Sequence, residues 1–188
     1  MGSRVVIEPI ASEETLRASA VTEDVAFVEQ FTSASRRCEV LAWRAIVRRE
    51  LNDDVDISHD EYGAPTVDTP NTYISVSHSR DRVAVQFADD ACAVDIESVE
   101  RDFRRVATRY LTCEEQQLAE QYDLYAEMWS AKEALYKYYK KGGLDFANDI
   151  SVVAYDADRR VLRCSILGGE TIEVKVKRES GLVVALID

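Results

Sequence analysis

The chain has few of the residues that bind zinc or cross-link secreted proteins. It contains two histidines and four cysteines, which are Cys38, Cys92, Cys113 and Cys164. The cysteines are widely separated and none of them forms a Cys-x-x-Cys pair, which argues against a zinc site and a dithiol redox motif. Because the N-terminus "MGSRVVIEPI" lacks the long apolar core of a signal peptide, we expect a cytoplasmic protein with reduced thiols.

Long apolar runs and flexible linkers are also missing. No stretch approaches the roughly 20 consecutive apolar residues that a membrane-spanning helix needs, so no membrane association is expected. The chain has three prolines and seven glycines in 188 residues, and no segment rich in Pro, Gly or Ser separates its halves. We therefore expect either one domain or two small domains packed tightly as one unit.

Positive charge is scarce. The sequence has 35 acidic and 23 basic residues and a formal net charge of −12, which disfavours nucleic acids and anionic membranes as partners. Basic residues are concentrated in "ERDFRRVATR", residues 100–109, and in "KEALYKYYKK", residues 132–141. These two segments form either ordinary solvated helix faces or a local positive surface on an acidic protein.

The patterning that is present predicts helices mixed with antiparallel strands. Apolar residues recur with helical spacing over 34–51, Thr112 and Glu115 form a capping-box signature, and Gly142-Gly143 follows a third helical segment. "RVAVQFADDACAVDIE" is typical of a β-hairpin turning at Asp89-Asp90. Strand patterns at 150–155, 160–167, 171–177 and 182–187 predict an antiparallel meander. The class is α+β, with an N-terminal half over 1–97 and a C-terminal half over 98–188.

Two acids interrupt the apolar strand pattern "CAVDIESVE". Asp95 and Glu97 are two residues apart and therefore lie on one face of a strand. Burying a carboxylate is costly unless it is paired or binds a metal, and Mg²⁺ prefers oxygen ligands supplemented by substrate phosphates. The pair alone indicates either a magnesium site or a solvent-facing strand edge.

Three further features have both a structural and a functional interpretation. Glu133 and Lys137 in "WSAKEALYK" are one helical turn apart. They form either an ion pair that stabilises the helix or a functional pair, in which the carboxylate binds a metal ion and the lysine binds a phosphate. His78, between Ser77 and Ser79 at the end of a strand, is either structural or able to hold a phosphate. Arginines at 37, 44 and 48 lie along one stripe of the 34–51 helix. This stripe is either a solvated face or an edge that binds an anion.

The order and spacing of these motifs resemble one family. Ser77-His78-Ser79, Ala93-Val94-Asp95-Ile96-Glu97 and the segment 129–137 match the patterns S-H-S, G-[IV]-D-[IVL]-E and [FW]-[ST]-x-K-E-[AS]-x-x-K. "YLTCEEQ", "YGAP" and "RRCEVLAWR" extend the similarity over about residues 34–145. The sequence thus resembles the 4′-phosphopantetheinyl transferases, of the larger type that activates carrier proteins.

The resemblance implies a fold of two similar α+β halves related by pseudo-twofold symmetry, with the site at their interface. It also implies transfer of the 4′-phosphopantetheine group of coenzyme A to a serine hydroxyl of an apo acyl or peptidyl carrier protein. Adenosine 3′,5′-bisphosphate would be released, Mg²⁺ or Mn²⁺ would be required, and a monomer would suffice. The carriers of fatty-acid, polyketide and peptide synthesis are all open.

The resemblance also assigns roles to residues. Asp95, Glu97 and Glu133 would bind the metal ion, with Glu133 or Glu97 as the base for the serine proton. The residues implied for coenzyme A are Ser77, His78, Gly63, Pro65, Lys132, Lys137 and an arginine of the 36–44 helix, Arg37 or Arg44. The sequence departs from the family pattern at Ala93, where glycine is usual, and at Ala64, where lysine is usual; the second change removes a possible charge contact with the nucleotide.

Two other functions account for part of the pattern. A Mg²⁺-dependent nucleotide phosphohydrolase would use the three carboxylates and a lysine, but it would not explain the S-H-S segment. A non-catalytic carrier-binding homologue would tolerate loss of an acid, and none is lost here.

Overall fold

The computed structural model describes residues 2–188 and divides into two compact units, the chain up to Ala91 and Cys92–Asp188. The elements of the first unit are β1 (Arg4–Pro9), α1 (Glu13–Ser19), α2 (Thr22–Val28), α3 (Ala34–Glu50), β2 (Ile57–His59), β3 (Pro65–Val67), β4 (Tyr73–Ser79) and β5 (Arg82–Ala88). The strands β1, β5 and β4 form an antiparallel sheet in that order, while β2 and β3 form a separate two-stranded hairpin.

The long helix α3 provides much of the core of the first unit. Ser33 caps its N-terminus by accepting a hydrogen bond from the Arg36 amide. Its apolar face packs with the buried side of β5 in one hydrophobic cluster, whose members include Leu41, Ile46, Val47, Val83, Val85 and Phe87. The predicted amphipathic helix over 34–51 is therefore confirmed to within one residue at its end.

The second unit contains β6 (Ala93–Ser98), a 3₁₀ helix (Arg104–Arg109), α4 (Cys113–Tyr122), α5 (Tyr125–Tyr139), β7 (Ile150–Asp156), β8 (Val161–Ile166), β9 (Thr171–Glu179) and β10 (Leu182–Ile187). Its five strands form one antiparallel sheet in the order β6-β10-β9-β8-β7. Small and apolar residues of α5, among them Met128, Ala131 and Leu135, are buried in the same core as residues from this sheet. The α+β class and the C-terminal meander are confirmed.

The predicted hairpin at Asp89-Asp90 is wrong. β5 pairs with β1 and β4, whereas β6 pairs with β10, where Glu97 lies opposite Val183. The partner of β6 comes from the far end of the chain, so the local alternation gave no sign of it. As a result β6 belongs to the second unit, and the division between the units falls six residues before the predicted boundary after residue 97.

Two local features also differ from the prediction. The segment "DFRRVATRYL" forms a six-residue 3₁₀ helix rather than an α-helix. The left-handed C-cap of α5 is Lys140, with φ of 62°, and Gly142 and Gly143 follow it. The pseudo-twofold relation between the halves stays a prediction. No helix within residues 2–188 combines the length and apolarity needed to cross a bilayer.

Candidate functional site

The two strand acids of β6 point toward helix α5. Asp95 is buried, Glu97 is largely buried, and both receive hydrogen bonds from side chains of α5. Nζ of Lys137 lies 2.8 Å from Oδ1 of Asp95 and also donates to the carbonyl oxygen of Val94 at 3.0 Å. The strand and the helix therefore bring together the D-x-E motif and the lysine of the K-E-x-x-x-K motif.

Glu97 is held by two donors on the same carboxylate oxygen. Nη1 of Arg101 lies 2.8 Å from Oε1 of Glu97, and Nε1 of Trp129 lies 3.1 Å from it. The ring of Trp129 is itself fixed by Tyr110, which meets it edge-on with ring centres 5.1 Å apart. The sequence motifs included Trp129 but gave no reason to select Arg101, which follows the motif in a turn.

Glu133 is the third carboxylate of this group. Burial raises its pKa, and the negative charges of Asp95 and Glu97 raise it further, while Lys137 acts in the opposite direction. The structure thus gathers three acids whose mutual repulsion a divalent cation would relieve. As the side chains are placed, however, no three His, Cys, Asp or Glu residues within 2–188 are arranged closely enough to coordinate an ion. The donor set fits Mg²⁺, whose binding requires these side chains to converge.

Lys132 has a different position from the one implied by the resemblance. It is fully buried, and its ammonium group donates to the carbonyl oxygens of Tyr110 and Phe146, each at 2.7 Å, and to Oε2 of Glu115 at 2.8 Å. An ammonium group has three N–H donors, and all three are used inside the protein. These contacts favour a structural role for Lys132, and its contact with coenzyme A stays a prediction.

His78 and Arg36 lie together in the first unit. Nη1 of Arg36 is 3.2 Å from Nε2 of His78, and Oε2 of Glu39 is 3.1 Å from the same Arg36 nitrogen and 3.4 Å from Nε2 of His78. Both basic side chains are exposed, whereas Ser77 is buried, as expected for the neighbouring residue of a strand. The structure therefore places an exposed basic pair at the end of the S-H-S strand.

The two arginines selected from the sequence are used inside the first unit. Arg37 donates to both carboxylate oxygens of Glu13, at 2.7 and 3.0 Å, and also to the carbonyl oxygen of Phe31. Arg44 is buried, and its Nε lies 2.6 Å from Oδ1 of the buried Asp24. Both guanidinium groups are thus paired with acids of the first unit in this structure, and a contact of Arg37 or Arg44 with a phosphate stays a prediction. The sequence left a solvated face and an anion-binding edge as the alternatives for this stripe; the structure instead pairs it with acids of α1 and α2.

The buried Asp24 explains why the arginine stripe faces inward. Arg48 donates to both of its carboxylate oxygens, at 2.6 and 2.9 Å, beside Arg44. Burial alone would raise the pKa of Asp24, but the hydrogen bonds from Arg48 and Arg44 outweigh this effect and lower it. A single acid in a short helix thus decides the role of two arginines.

Gly63 lies in the loop of the β2–β3 hairpin, and Pro65 is the first residue of β3. Gly63 has φ of 83°, a conformation that favours glycine. Oδ1 of Asp60 accepts hydrogen bonds from the amides of Tyr62 and Ala64, which fixes the loop. The turn predicted from "YGAP" is confirmed, while its contact with adenine stays a prediction.

Comparisons with known proteins agree with the motifs. Residues 91–186 match the family model of the 4′-phosphopantetheinyl transferase superfamily, ACPS. Two similar curated proteins are the 4′-phosphopantetheinyl transferase ffp of Bacillus subtilis, 33% identical over 115 residues, and the 4′-phosphopantetheinyl transferase Sfp of Bacillus subtilis strain 168, 28% identical over 109 residues. These matches cover 57% and 53% of this chain and 51% and 49% of the relatives, so the chain spans about half the length of the curated relatives it matches.

The matched region contains Asp95, Glu97, Glu133 and Lys137, which are the residues that the second unit brings together. The family model covers just over half of the chain. The chain belongs to the 4′-phosphopantetheinyl transferase superfamily.

Proposed function

We propose that the protein transfers the 4′-phosphopantetheine group of coenzyme A to a serine hydroxyl of an apo acyl or peptidyl carrier protein. The observation that carries this proposal is the group formed by Asp95, Glu97, Glu133 and Lys137 on β6 and α5, within the family-matched region. A phosphoryl transfer needs positioning and charge stabilisation more than covalent help from the protein. Three carboxylates and a lysine supply both.

The proposed reaction is a displacement at the phosphorus that carries pantetheine. The serine oxygen forms a bond to this phosphorus while the bond to the bridging pyrophosphate oxygen breaks, and adenosine 3′,5′-bisphosphate leaves with that oxygen. Lys137 would exchange its contact with Asp95 for a phosphate oxygen and stabilise the negative charge there. Asp95, Glu97 and Glu133 would hold Mg²⁺ or Mn²⁺, which supplies charge neutralisation on the pyrophosphate.

The serine proton needs an acceptor. Oε1 of Glu97 accepts a hydrogen bond from the ring nitrogen of Trp129, which would hold this carboxylate in place as a ligand of the cation. Glu133 lies one helical turn before Lys137, on the same side of α5. We therefore assign the base to Glu133, with Glu97 as a fixed ligand.

The 3′-phosphate of coenzyme A is assigned to Arg36 and His78. Their contact places two basic groups at an exposed position, and Arg36 presents a planar fork of donors suited to phosphate. Glu39 now occupies this fork, so a phosphate would replace a carboxylate. The β2–β3 turn with Gly63 and Pro65 would line the adenine.

The carrier protein would dock on local positive charge, because both partners are acidic overall. Arg104 and Arg105 are exposed in the basic 100–109 segment. Reversing both charges, with Arg104→Glu and Arg105→Glu, should raise KM for the carrier roughly tenfold and leave KM for coenzyme A within about twofold, since steering charges act on their own partner. Steady-state kinetics with each substrate varied would measure this, and equal rises in both constants would refute the docking assignment.

Mass spectrometry of an apo carrier protein tests the transferase proposal directly. Purified protein, coenzyme A, Mg²⁺ and carrier should yield a phosphopantetheine adduct, and Asp95→Ala should abolish it. Release of adenosine bisphosphate without carrier would indicate a hydrolase instead. Intact coenzyme A with carrier bound would indicate a binding protein. We expect a cytoplasmic protein that is a monomer, and sedimentation of the purified protein would check the oligomeric state.

A further inference from the structure

Arg101 is the second basic side chain that contacts the carboxylate group. Lys137 pairs with Asp95, and Arg101 pairs with Glu97 at 2.8 Å. In the structure as described, two of the three acids are thus neutralised by side chains of the protein itself. A divalent cation that binds to Glu97 competes with the guanidinium of Arg101 for the same carboxylate.

The position of Arg101 is fixed although about half of its side chain is exposed. Its guanidinium lies over the ring of Phe103 at 4.7 Å and over the ring of Trp129 at 5.3 Å. The Phe103 and Trp129 rings are 5.7 Å apart and form a shelf under the charge. Cation–π contacts of this kind contribute about 0.5–1 kcal/mol at exposed sites, so Arg101 is better ordered than an ordinary surface ion-pair partner.

We propose that Arg101 is an internal competitor of the divalent cation: it neutralises Glu97 in the metal-free protein and is displaced toward solvent when the cation binds. This inference rests on the proposed function, because it takes Asp95, Glu97 and Glu133 as the ligands of the cation. Lys137 makes the same kind of contact but has a use on the substrate phosphate. Arg101 has an exposed side to move into, and its departure leaves Glu97 still held by Trp129.

The physical reason is the repulsion between a guanidinium and a divalent ion that share one carboxylate. The divalent ion and the guanidinium of Arg101 would lie within several ångströms of each other. Partial exposure to solvent reduces the repulsion between these positive charges but does not remove it. Removing the positive charge should therefore strengthen metal binding. The same change should destabilise the metal-free protein, because three carboxylates then repel each other with less compensation.

Titration with Mn²⁺ alone tests the proposal without any turnover. The electron paramagnetic resonance signal of the unbound ion gives the Mn²⁺ affinity. Arg101→Gln should bind Mn²⁺ about threefold to tenfold more tightly than the wild type, an effect of the size expected for one partly screened charge near a divalent ion. Arg101→Lys keeps the charge and should stay within about twofold of the wild type. Arg104→Gln removes an equal charge from the same segment, where it pairs with Glu120, and should also leave the affinity within about twofold.

Thermal unfolding supplies a second readout. Arg101→Gln should unfold at a lower temperature than the wild type without metal, and the difference should shrink as Mn²⁺ is added. A purely structural role would lower the unfolding temperature and weaken Mn²⁺ binding together. If Arg101→Gln binds Mn²⁺ no more tightly than the wild type while Asp95→Ala loses binding, this inference alone fails. If Asp95→Ala binds Mn²⁺ as the wild type does, the proposed metal site fails, and the role of Arg101 with it.

Discussion

Lys132 illustrates how a motif residue serves structure rather than chemistry. Replacing it with methionine would leave the buried carboxylate of Glu115 without its ammonium partner, and breaking a buried pair in this way typically costs about 3–5 kcal/mol. We expect Lys132→Met to reduce the free energy of unfolding by about that amount, as measured by urea denaturation. Any molecules that remain folded should keep their KM for coenzyme A.

Lys137→Met is the matched control for this prediction. Lys137 is partly exposed and pairs with Asp95, so its replacement should abolish most activity while costing less stability than Lys132→Met. The interpretation of Lys132 would be wrong if its replacement left stability intact and raised KM for coenzyme A.

Arg36 and Arg37 are neighbours with different environments, and this makes a sharp comparison possible. Arg36→Ala should raise KM for coenzyme A by about tenfold, the size of one charge-assisted contact. It should barely change KM for 3′-dephospho-coenzyme A, which lacks the phosphate that Arg36 would bind. Arg37→Ala removes the same charge but disrupts a pair with Glu13, so it should affect both substrates equally. Steady-state kinetics with coenzyme A and 3′-dephospho-coenzyme A would measure this, and a uniform loss in both variants would refute the role of Arg36.

Among single residues, the sequence identified those proposed to take part in the reaction better than it identified the partners of the other basic side chains. The strand period places Asp95 and Glu97 on one face, and the helix period does the same for Glu133 and Lys137. The resemblance of the motifs to one family, rather than either period, predicted that the two pairs would meet. Nothing in the sequence indicated the acids that pair with Arg37, Arg44 and Lys132. These partners, Glu13, Asp24 and Glu115, are distant in sequence. A basic residue on a helix face does not reveal whether an acid from another element will cover it.

Helix α4 shows what local signals predict well. The hydroxyl of Thr112 accepts a hydrogen bond from the amide of Glu115, and the carboxylate of Glu115 accepts one from the amide of Thr112. Thr112→Ala removes the first bond and should cost about 1 kcal/mol in the free energy of unfolding. Thr112→Ser keeps the hydroxyl and should cost much less. Chemical denaturation of the two variants checks this, and equal losses would contradict the capping role.

The sequence predicted the strands β5 and β6 but not the strands with which they pair. Asp89-Asp90 has the composition of a hairpin turn, yet β5 and β6 belong to different sheets. The pairing of β6 with β10 is settled by long-range packing, in which Ala93, Ala185 and Ile187 share one core with α5. Turn-forming residues predict that the chain changes direction, but they do not determine with which strand the following strand will pair.

Across the whole molecule the four cysteines provide a test of the described fold. Cys113 is exposed, Cys38 is half-buried, and burial raises the pKa of both Cys92 and Cys164 to about 12. Since the thiolate is the reactive form, the disulfide reagent DTNB should modify one thiol rapidly at neutral pH and a second slowly. The remaining two should react only in denaturant. Cys113→Ser should remove the fast phase, and rapid reaction of three or four native thiols would contradict the burial described here.

Glu115 has a further consequence at the edge of the large sheet. β7 is the outer strand on one side of the five-stranded sheet, and its register shifts between Val152 and Ala154. The amide of Val152 donates to Oε1 of Glu115 at 2.6 Å, so the carboxylate that caps α4 and pairs with Lys132 also occupies a backbone donor of this strand. Both the amide and the carboxylate of this contact are buried, and a buried donor left without a partner is costly. Loss of this one carboxylate would leave the Val152 amide and the Lys132 ammonium group without their partner at the same time, so the outer strand of the sheet and helix α5 would be destabilised together.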